Sequence, residues 1–224
     1  MGIISVEQAD RLYWLGRYVE RVYTTIKMYS KGFDRMIDAN PTDFYQDFCS
    51  RMDIPDIYKD MDDFIYRYPY DSSNPDSIIS NLSRAYDNAI VLRETIGSEA
   101  LSYIQLSVYD WGQAEYNQAP ALEMQKLMDH ILAFWGIIDD QIDNKEIRNI
   151  LKAGKRIERI DLYARMGFSQ AAISREVHRM LVRVRESGLP FDEEQLIRIN
   201  KMVENEPIAY YDLVNEVETV FGVV

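Results

Sequence analysis

A chain of 224 residues, of which 47% are hydrophobic and 28% charged, is typical of a globular protein that buries a core without disulfides. Its 37 acidic and 25 basic residues give a formal net charge of −12, which disfavours nucleic acid and anionic membranes as partners, because both attract basic surfaces. The single cysteine, Cys49, excludes an internal disulfide and a cysteine metal cluster. Without a signal-peptide pattern or an apolar run of about 20 residues, the protein is expected to be cytoplasmic.

The first predicted helix covers residues 5–39. Ser5, with Gln8 three residues later, forms a capping-box pattern at its start. Apolar residues from Leu12 onwards then recur three and four positions apart, which is the spacing of one helix face. Asn40-Pro41 is predicted to end the helix, because the residue before a proline disfavours helical backbone.

The next segment is irregular, and short helices are predicted at 43–52 and 56–68. Asn74-Pro75 is then typical of a helix start, with asparagine as the cap and proline at the first position. The apolar spacing beyond it predicts a long helix over 75–111.

The second half of the chain continues the helical pattern. Helices are predicted at 120–142 and 144–166. Shorter helices follow within 169–222, with predicted starts at Ser169, Asp192 and Pro207.

One domain is predicted for the whole chain, 1–224, because its length suits a single large domain. Its predicted fold class is all-α, since no stretch alternates polar and apolar residues long enough to indicate a strand. We expect a bundle of long antiparallel helices with additional short helices. The long helices form the predicted core over 5–39, 75–111 and 120–166.

A short pattern occurs twice in the sequence. Gly16-Arg-Tyr-Val-Glu-Arg21 in the first helix corresponds to Gly154-Lys-Arg-Ile-Glu-Arg159 in the helix over 144–166. A glycine inside a helix costs about 1 kcal/mol relative to alanine, so two in the same context suggest positions where another helix comes close. The alternative is chance together with ordinary surface charge.

The charged residues near these glycines have different predicted orientations. Arg17, Glu20 and Arg21 fall away from the apolar face of the first helix and are predicted to be solvated. Glu158 and Asp161 instead share the inward face of their helix. The opposite side of that helix carries a basic stripe of Arg148, Lys152 and Arg159.

Arg93 is a candidate partner for the inward carboxylates, because it falls on the apolar face of the helix over 75–111. An unpaired buried charge is very costly. We therefore predict a cluster in which Arg93 pairs with Glu158 and Asp161, with Glu20 and Arg21 at its rim.

Several segments occur in a characteristic order: Leu12-Tyr-Trp-Leu-Gly-Arg-Tyr-Val-Glu-Arg21, Asn74-Pro75 with Ser77, Asn88-Ala89 with Arg93-Glu94 and Ser98-Glu99, and Gly154 with Glu158-Arg159 and Asp161. Together they resemble the Alpha-E family, a helical family named for its Glu-Arg signature. The candidate binding residues are Arg17, Glu20, Arg21, Asn88, Arg93, Glu94, Glu99 and Arg159.

The resemblance also implies partners, because members of this family typically sit beside, or fused to, circularly permuted ATP-grasp and transglutaminase-like proteins. It implies an accessory, non-catalytic partner of an ATP-grasp-type ligase that forms amide bonds in peptide synthesis or modification. The alternative is a stand-alone enzyme with Glu158, Asp161 or Glu20 as acid–base groups and Arg93 clamping a carboxylate or phosphate. The accessory role is favoured, since no nucleophile or histidine base accompanies the charged cluster. A homo-oligomer is compatible with either interpretation.

Other motifs point to different chemistry. Asp139, Asp140 and Asp143 spell the DDxxD magnesium motif of class I isoprenoid synthases, in which carboxylates four apart share a helix face. No second acidic set accompanies it, so an acidic helix end is favoured. Neither His130 nor His178 has a glutamate three residues earlier, as a di-iron bundle requires. The sequence also lacks a phosphate-binding loop and a nucleophile elbow, and we expect neither metal nor cofactor.

Overall fold

The computed structural model describes residues 4–38, 44–55, 57–115, 120–204 and 208–222. Those residues form eleven α-helices and one 3₁₀ turn, with no strand among them, so the all-α prediction is confirmed. The helices are α1 (Val6–Asp38), α2 (Phe44–Met52), α3 (Met61–Arg67), α4 (Ile78–Val91), α5 (Arg93–Ile96), α6 (Ser98–Ala114), α7 (Pro120–Gln141), α8 (Lys145–Arg165), α9 (Gln170–Arg185), α10 (Glu193–Glu204) and α11 (Tyr210–Glu218). The 3₁₀ turn covers Tyr68–Tyr70. None of these helices combines the length and the apolar character needed to cross a membrane.

Several helices begin at the predicted caps. The Ser5 hydroxyl accepts from the Gln8 amide at 3.1 Å, and the Asp192 carboxylate accepts from the Glu194 amide at 2.9 Å. Ser169 occupies the cap position of α9 without a side-chain hydrogen bond. The predicted helix end at Asn40-Pro41 and the predicted start at Pro207 lie outside the described residues.

The predicted helix over 75–111 is wrong in its start and in its continuity. Asn74 does not cap it but closes a turn, accepting from the Asp76 amide at 2.9 Å, and Ser77 caps α4 instead. An Asn-Pro pair favours a turn as readily as a helix start. The helix then breaks at Leu92 and again at Gly97, whose positive φ of 84° is a conformation that glycine adopts without strain.

The residues divide into two compact units. Unit 1 contains residues 1–20 and 141–224, and unit 2 contains residues 21–140. The predicted single domain over 1–224 stays a prediction.

Unit 1 is built around α8. This helix packs against α9 and α11, α9 packs against α10, and α10 packs against α11. Ile150 and Ile157 of α8 and Ile173 and Val177 of α9 are fully buried, so apolar residues three and four positions apart form this core. The first part of α1 belongs to the same unit.

Unit 2 has an aromatic core beside the packed pair α4 and α6. The rings of Phe64 and Tyr68 stack with centroids 5.0 Å apart, and Phe48 meets Phe64 edge-on at 5.6 Å. The Tyr29 hydroxyl donates to the Ile65 carbonyl at 2.5 Å, which satisfies a polar group inside this core. Burial raises the pKa of both Tyr29 and Tyr68.

Candidate functional site

Two glycines, one from each copy of the repeated pattern, mark the crossing of α1 and α8 in unit 1. A Cβ atom added at Gly16 would lie 2.1 Å from the carbonyl oxygen of Leu151, and one added at Gly154 would lie 2.2 Å from the carbonyl oxygen of Tyr13. The contacts are equivalent, because each glycine meets the residue three positions before the other glycine. A backbone oxygen cannot rotate away as a side chain can, so a larger residue at either position forces the helices apart. The predicted close approach is confirmed.

Beside this crossing, each helix supplies an arginine to a buried glutamate of the other. Arg159 Nε lies 2.6 Å from Glu20 Oε1, and Arg17 Nε lies 2.7 Å from Glu158 Oε2. Glu20 is 0% exposed and Glu158 is 1% exposed. Because removing one partner of a buried ion pair is strongly unfavourable, the two pairs join α1 to α8.

The prediction that Arg17 and Glu20 are solvated is wrong. Arg17 is only 6% exposed, and its burial follows from Gly16, which admits α8 against a second side of α1. The apolar seam alone therefore does not identify the buried surface of α1. The inward orientation predicted for Glu158 and Asp161 is confirmed, since each is 1% exposed.

Glu176 of α9 is a fourth buried acid in unit 1, and sequence reasoning missed it. Its carboxylate lies 2.6 Å from Arg156, 2.8 Å from Arg179 and 3.7 Å from Arg159, while Glu176 itself is 2% exposed. A signal for it exists in the sequence. Glu176 follows Ile173 by three residues, which places it on the apolar face of its helix.

Two further acids belong to the cluster, one of them buried and one at its edge. Asp161 accepts from Arg165, one turn later on α8, at 2.7 Å. Glu218, at the end of α11, lies 3.1 Å from Nη2 of Arg17 and is 38% exposed. The Arg17 guanidinium lies over the Trp14 ring, with its central carbon 5.0 Å from the ring centroid.

Burial and the neighbouring carboxylates have opposite effects on the pKa values of these arginines. Burial lowers the pKa of Arg17, but Glu158, Tyr13 and Glu218 together more than offset this effect, so that the pKa lies above its ordinary value. The pKa of Arg159 is raised likewise, with Glu20 opposing the effect of burial. The pKa of Arg156 is lowered, because burial outweighs the attraction of Glu176. The cluster is therefore a set of compensated charges.

The other predicted binding residues lie in unit 2. Arg21 is half-buried, with Nη1 3.4 Å from Asp76 Oδ1. The Asn88 side chain donates to the Arg84 carbonyl at 3.2 Å. Glu94 and Glu99 are exposed.

Arg93 does not pair as predicted. It is exposed, and its Nε donates to the Ser98 hydroxyl at 3.2 Å, whereas Glu158 and Asp161 bind Arg17 and Arg165. The prediction assumed one continuous helix over 75–111. Because the helix breaks at Leu92, the rotation of 100° per residue does not carry through to Arg93, which begins the short helix α5.

The alternative magnesium motif lacks the shared helix face on which it depends. Asp139 and Asp140 lie near the end of α7, and that helix ends at Gln141, so Asp143 falls beyond it. No group of three or more candidate metal ligands occurs among the residues that the structure describes.

The burial of these acids limits the chemistry of the cluster. A general acid or base must come within hydrogen-bond distance of the group it protonates or deprotonates. Glu20, Glu158 and Glu176 are each at most 2% exposed and hydrogen-bonded to arginine. The arrangement is suited to holding helices together rather than to proton transfer with a bound molecule.

A family model described as a predicted alpha-helical domain with a conserved ER motif, Alpha-E, matches residues 7–194 of the chain. Comparison with curated proteins and with solved structures finds no match. The matched range contains both copies of the glycine and Glu-Arg pattern.

Proposed function

We propose, because this chain belongs to the Alpha-E family, that it is an accessory, non-catalytic partner of an ATP-grasp-type ligase that forms amide bonds in peptides. The observation that carries the proposal is the burial of the glutamate in both copies of the Glu-Arg motif. Glu20 and Glu158 are paired with Arg159 and Arg17 inside unit 1, so the signature of the family supports an architectural role. A motif whose glutamates are paired inside the chain supports a rigid binding module.

The exposed face of α6 supports a role in protein binding. Leu106 is 44% exposed and Tyr109 is 65% exposed. The exposed residues next to them, Ser102, Gln105 and Gln113, are uncharged. The charged residues of this face are Glu99, at the start of α6, and Asp110, which pairs with His130. Protein interfaces are depleted of charge at their centre and enriched in aromatic residues, so this face suits a protein partner in a chain where 28% of residues are charged.

Co-expression with an ATP-grasp-type ligase of the same organism tests the proposal. We expect the two proteins to co-purify and the amide-forming activity of the ligase to require this chain. Tyr109→Glu is expected to abolish co-purification, whereas Val182→Glu, a change at a 47% exposed residue of α9, is the matched control and leaves it intact. Separate elution with unchanged ligase activity would refute the proposal.

The alternative function, a stand-alone enzyme using Glu158, Asp161 or Glu20, makes a different prediction. It requires turnover of a carboxylate- or phosphate-bearing substrate by the purified chain, and loss of that turnover in a folded Glu158→Gln variant. The pairing of Glu158 with Arg17 speaks against it, because a carboxylate in that pair is withheld from substrate.

A further inference from the structure

The geometry points to a carboxylate-binding site on the outer side of the Arg17 guanidinium, which Glu218 occupies in the free chain and which a peptide carboxylate takes by displacing the Glu218 side chain. This inference rests on the proposed function, because a ligase that forms amide bonds in peptides handles substrates that carry a carboxylate. Every residue of the site belongs to unit 1.

The two acids bound to Arg17 are of different kinds. Glu158 holds Nε at 2.7 Å and its side chain is 1% exposed, whereas Glu218 meets Nη2 at 3.1 Å and its side chain is 38% exposed. The inner pair fixes the guanidinium in place, because breaking a buried pair is strongly unfavourable. The outer pair reaches solvent, where exchange of one carboxylate for another costs little.

The guanidinium is held in place before any ligand arrives. The Trp14 and Tyr13 rings lie 5.0 and 5.8 Å from its central carbon, and the Tyr13 hydroxyl lies 3.5 Å from Nη1. A planar guanidinium with fixed orientation is the group best suited to recognise a carboxylate through directed hydrogen bonds.

Glu218 stands at an unfavourable position for an acid. It is the last residue of α11, where the helix dipole disfavours negative charge. The helix itself is anchored by Leu213 and Val217, both fully buried. The Glu218 side chain therefore needs only a change of rotamer to release Arg17, while the backbone of α11 stays in place.

The occupant and the site come from different parts of the sequence. Tyr13, Trp14, Arg17 and Glu158 lie within residues 7–194, which the family model matches, whereas Glu218 lies outside that range. The cation and its ring walls thus lie inside the range that the family model matches, and the carboxylate that covers the cation lies outside it.

The test follows the Arg17 side-chain Nε–Hε signal by ¹H–¹⁵N NMR while N-acetyl-alanyl-alanine is added, with the C-terminal amide of the same peptide as the uncharged probe. The free acid is expected to shift the Arg17 signal saturably. It is expected to bind about three- to fivefold more tightly to Glu218→Gln than to the wild type, because the competing Glu218 carboxylate is 38% exposed although Arg17 is buried, and a pair that reaches solvent is worth up to about 1 kcal/mol. Glu216→Gln removes the same charge from the last turn of α11, from an acid that faces Arg198, and is expected to leave the affinity unchanged.

Equal affinity of the wild type and Glu218→Gln, or equal binding of the acid and the amide, would overturn the inference, as would the absence of a saturable shift in Glu218→Gln. Thermal unfolding of both variants checks that they are folded. Co-purification with the ligase is measured separately. Co-purification without peptide binding defeats only this site, whereas peptide binding without co-purification defeats only the proposed function.

Discussion

Alanine at Gly16 perturbs the crossing of α1 and α8 without changing any charge. The new Cβ atom would lie 2.1 Å from the Leu151 carbonyl oxygen, which is 1.3 Å short of an ordinary contact of 3.4 Å. Because the obstacle is backbone, the two helices must separate. The pair between Arg159 and Glu20, now 2.6 Å long, leaves hydrogen-bond range if it lengthens by the same amount.

The expected change in the free energy of unfolding is the balance of three effects. Alanine is better than glycine inside a helix by about 1 kcal/mol. Overpacking costs about 1–3 kcal/mol, and full disruption of a buried ion pair costs about 3–5 kcal/mol. With the pairs partly weakened, we expect Gly16→Ala to lower the free energy of unfolding by about 2–4 kcal/mol.

Urea denaturation measures this as a lower transition midpoint with an unchanged slope. Gly112→Ala is the matched control, because a Cβ atom there meets nothing within 4 Å, and helix propensity alone then predicts a gain of up to about 1 kcal/mol. The two substitutions are thus expected to have opposite signs. If Gly16→Ala is as stable as the wild type or more stable, the close crossing is not what holds α1 and α8 together.

Two further predictions concern charge and pH. Glu20→Gln leaves the Arg159 cation poorly compensated and is expected to lower the free energy of unfolding by about 3–5 kcal/mol. Glu7→Gln is the control: its glutamate is 75% exposed, and the substitution is expected to change the free energy of unfolding by less than about 1 kcal/mol. Equal urea midpoints for both variants would contradict the role of burial. Burial raises the pKa of Tyr70 to about 12 and raises the pKa of Tyr68 as well. The stability that comes from keeping these phenols neutral is therefore complete below the unfolded-state pKa of about 10. It is lost as the pH rises through the folded-state pKa values. Tyr68→Phe removes one of these ionisations. Its melting temperature, followed by circular dichroism, is therefore expected to fall less between pH ~9 and ~11 than that of the wild type. An equal or larger fall would show that Tyr68 does not contribute.

Local signals predicted most of the helices, because they depend on neighbours a few residues apart. The Asn144 side chain caps α8 by accepting from the Glu146 amide at 2.9 Å, as the sequence indicates. The bounds of α7 and α8 lie within a residue or two of the predicted ones. The wrong predictions at Asn74 and Leu92 are also local. A turn and a helix differ there by a free energy that the spacing of apolar residues does not reveal.

The candidate site was predictable from the sequence only in part. The repeated glycines identified a close helix approach, and the inward orientation of Glu158 followed from periodicity. The partners did not follow, because Arg17, predicted to be solvated, binds Glu158, and Arg93, predicted to bind it, is exposed. Glu176 was missed although its position on the apolar face of α9 was visible in the sequence.

Helix content, the caps at Ser5, Asn144 and Asp192, and the small residues at 16 and 154 are properties of short stretches of chain, and the sequence alone determined them. Which arginine neutralises which glutamate depends on the crossing of α1 and α8, where residues some 140 positions apart meet: Arg17 and Glu158 are separated by 141 residues and Glu20 and Arg159 by 139. Only the tertiary structure decided those pairs, because an ion pair forms where packing brings two side chains within a few ångströms, and no local periodicity encodes that distance.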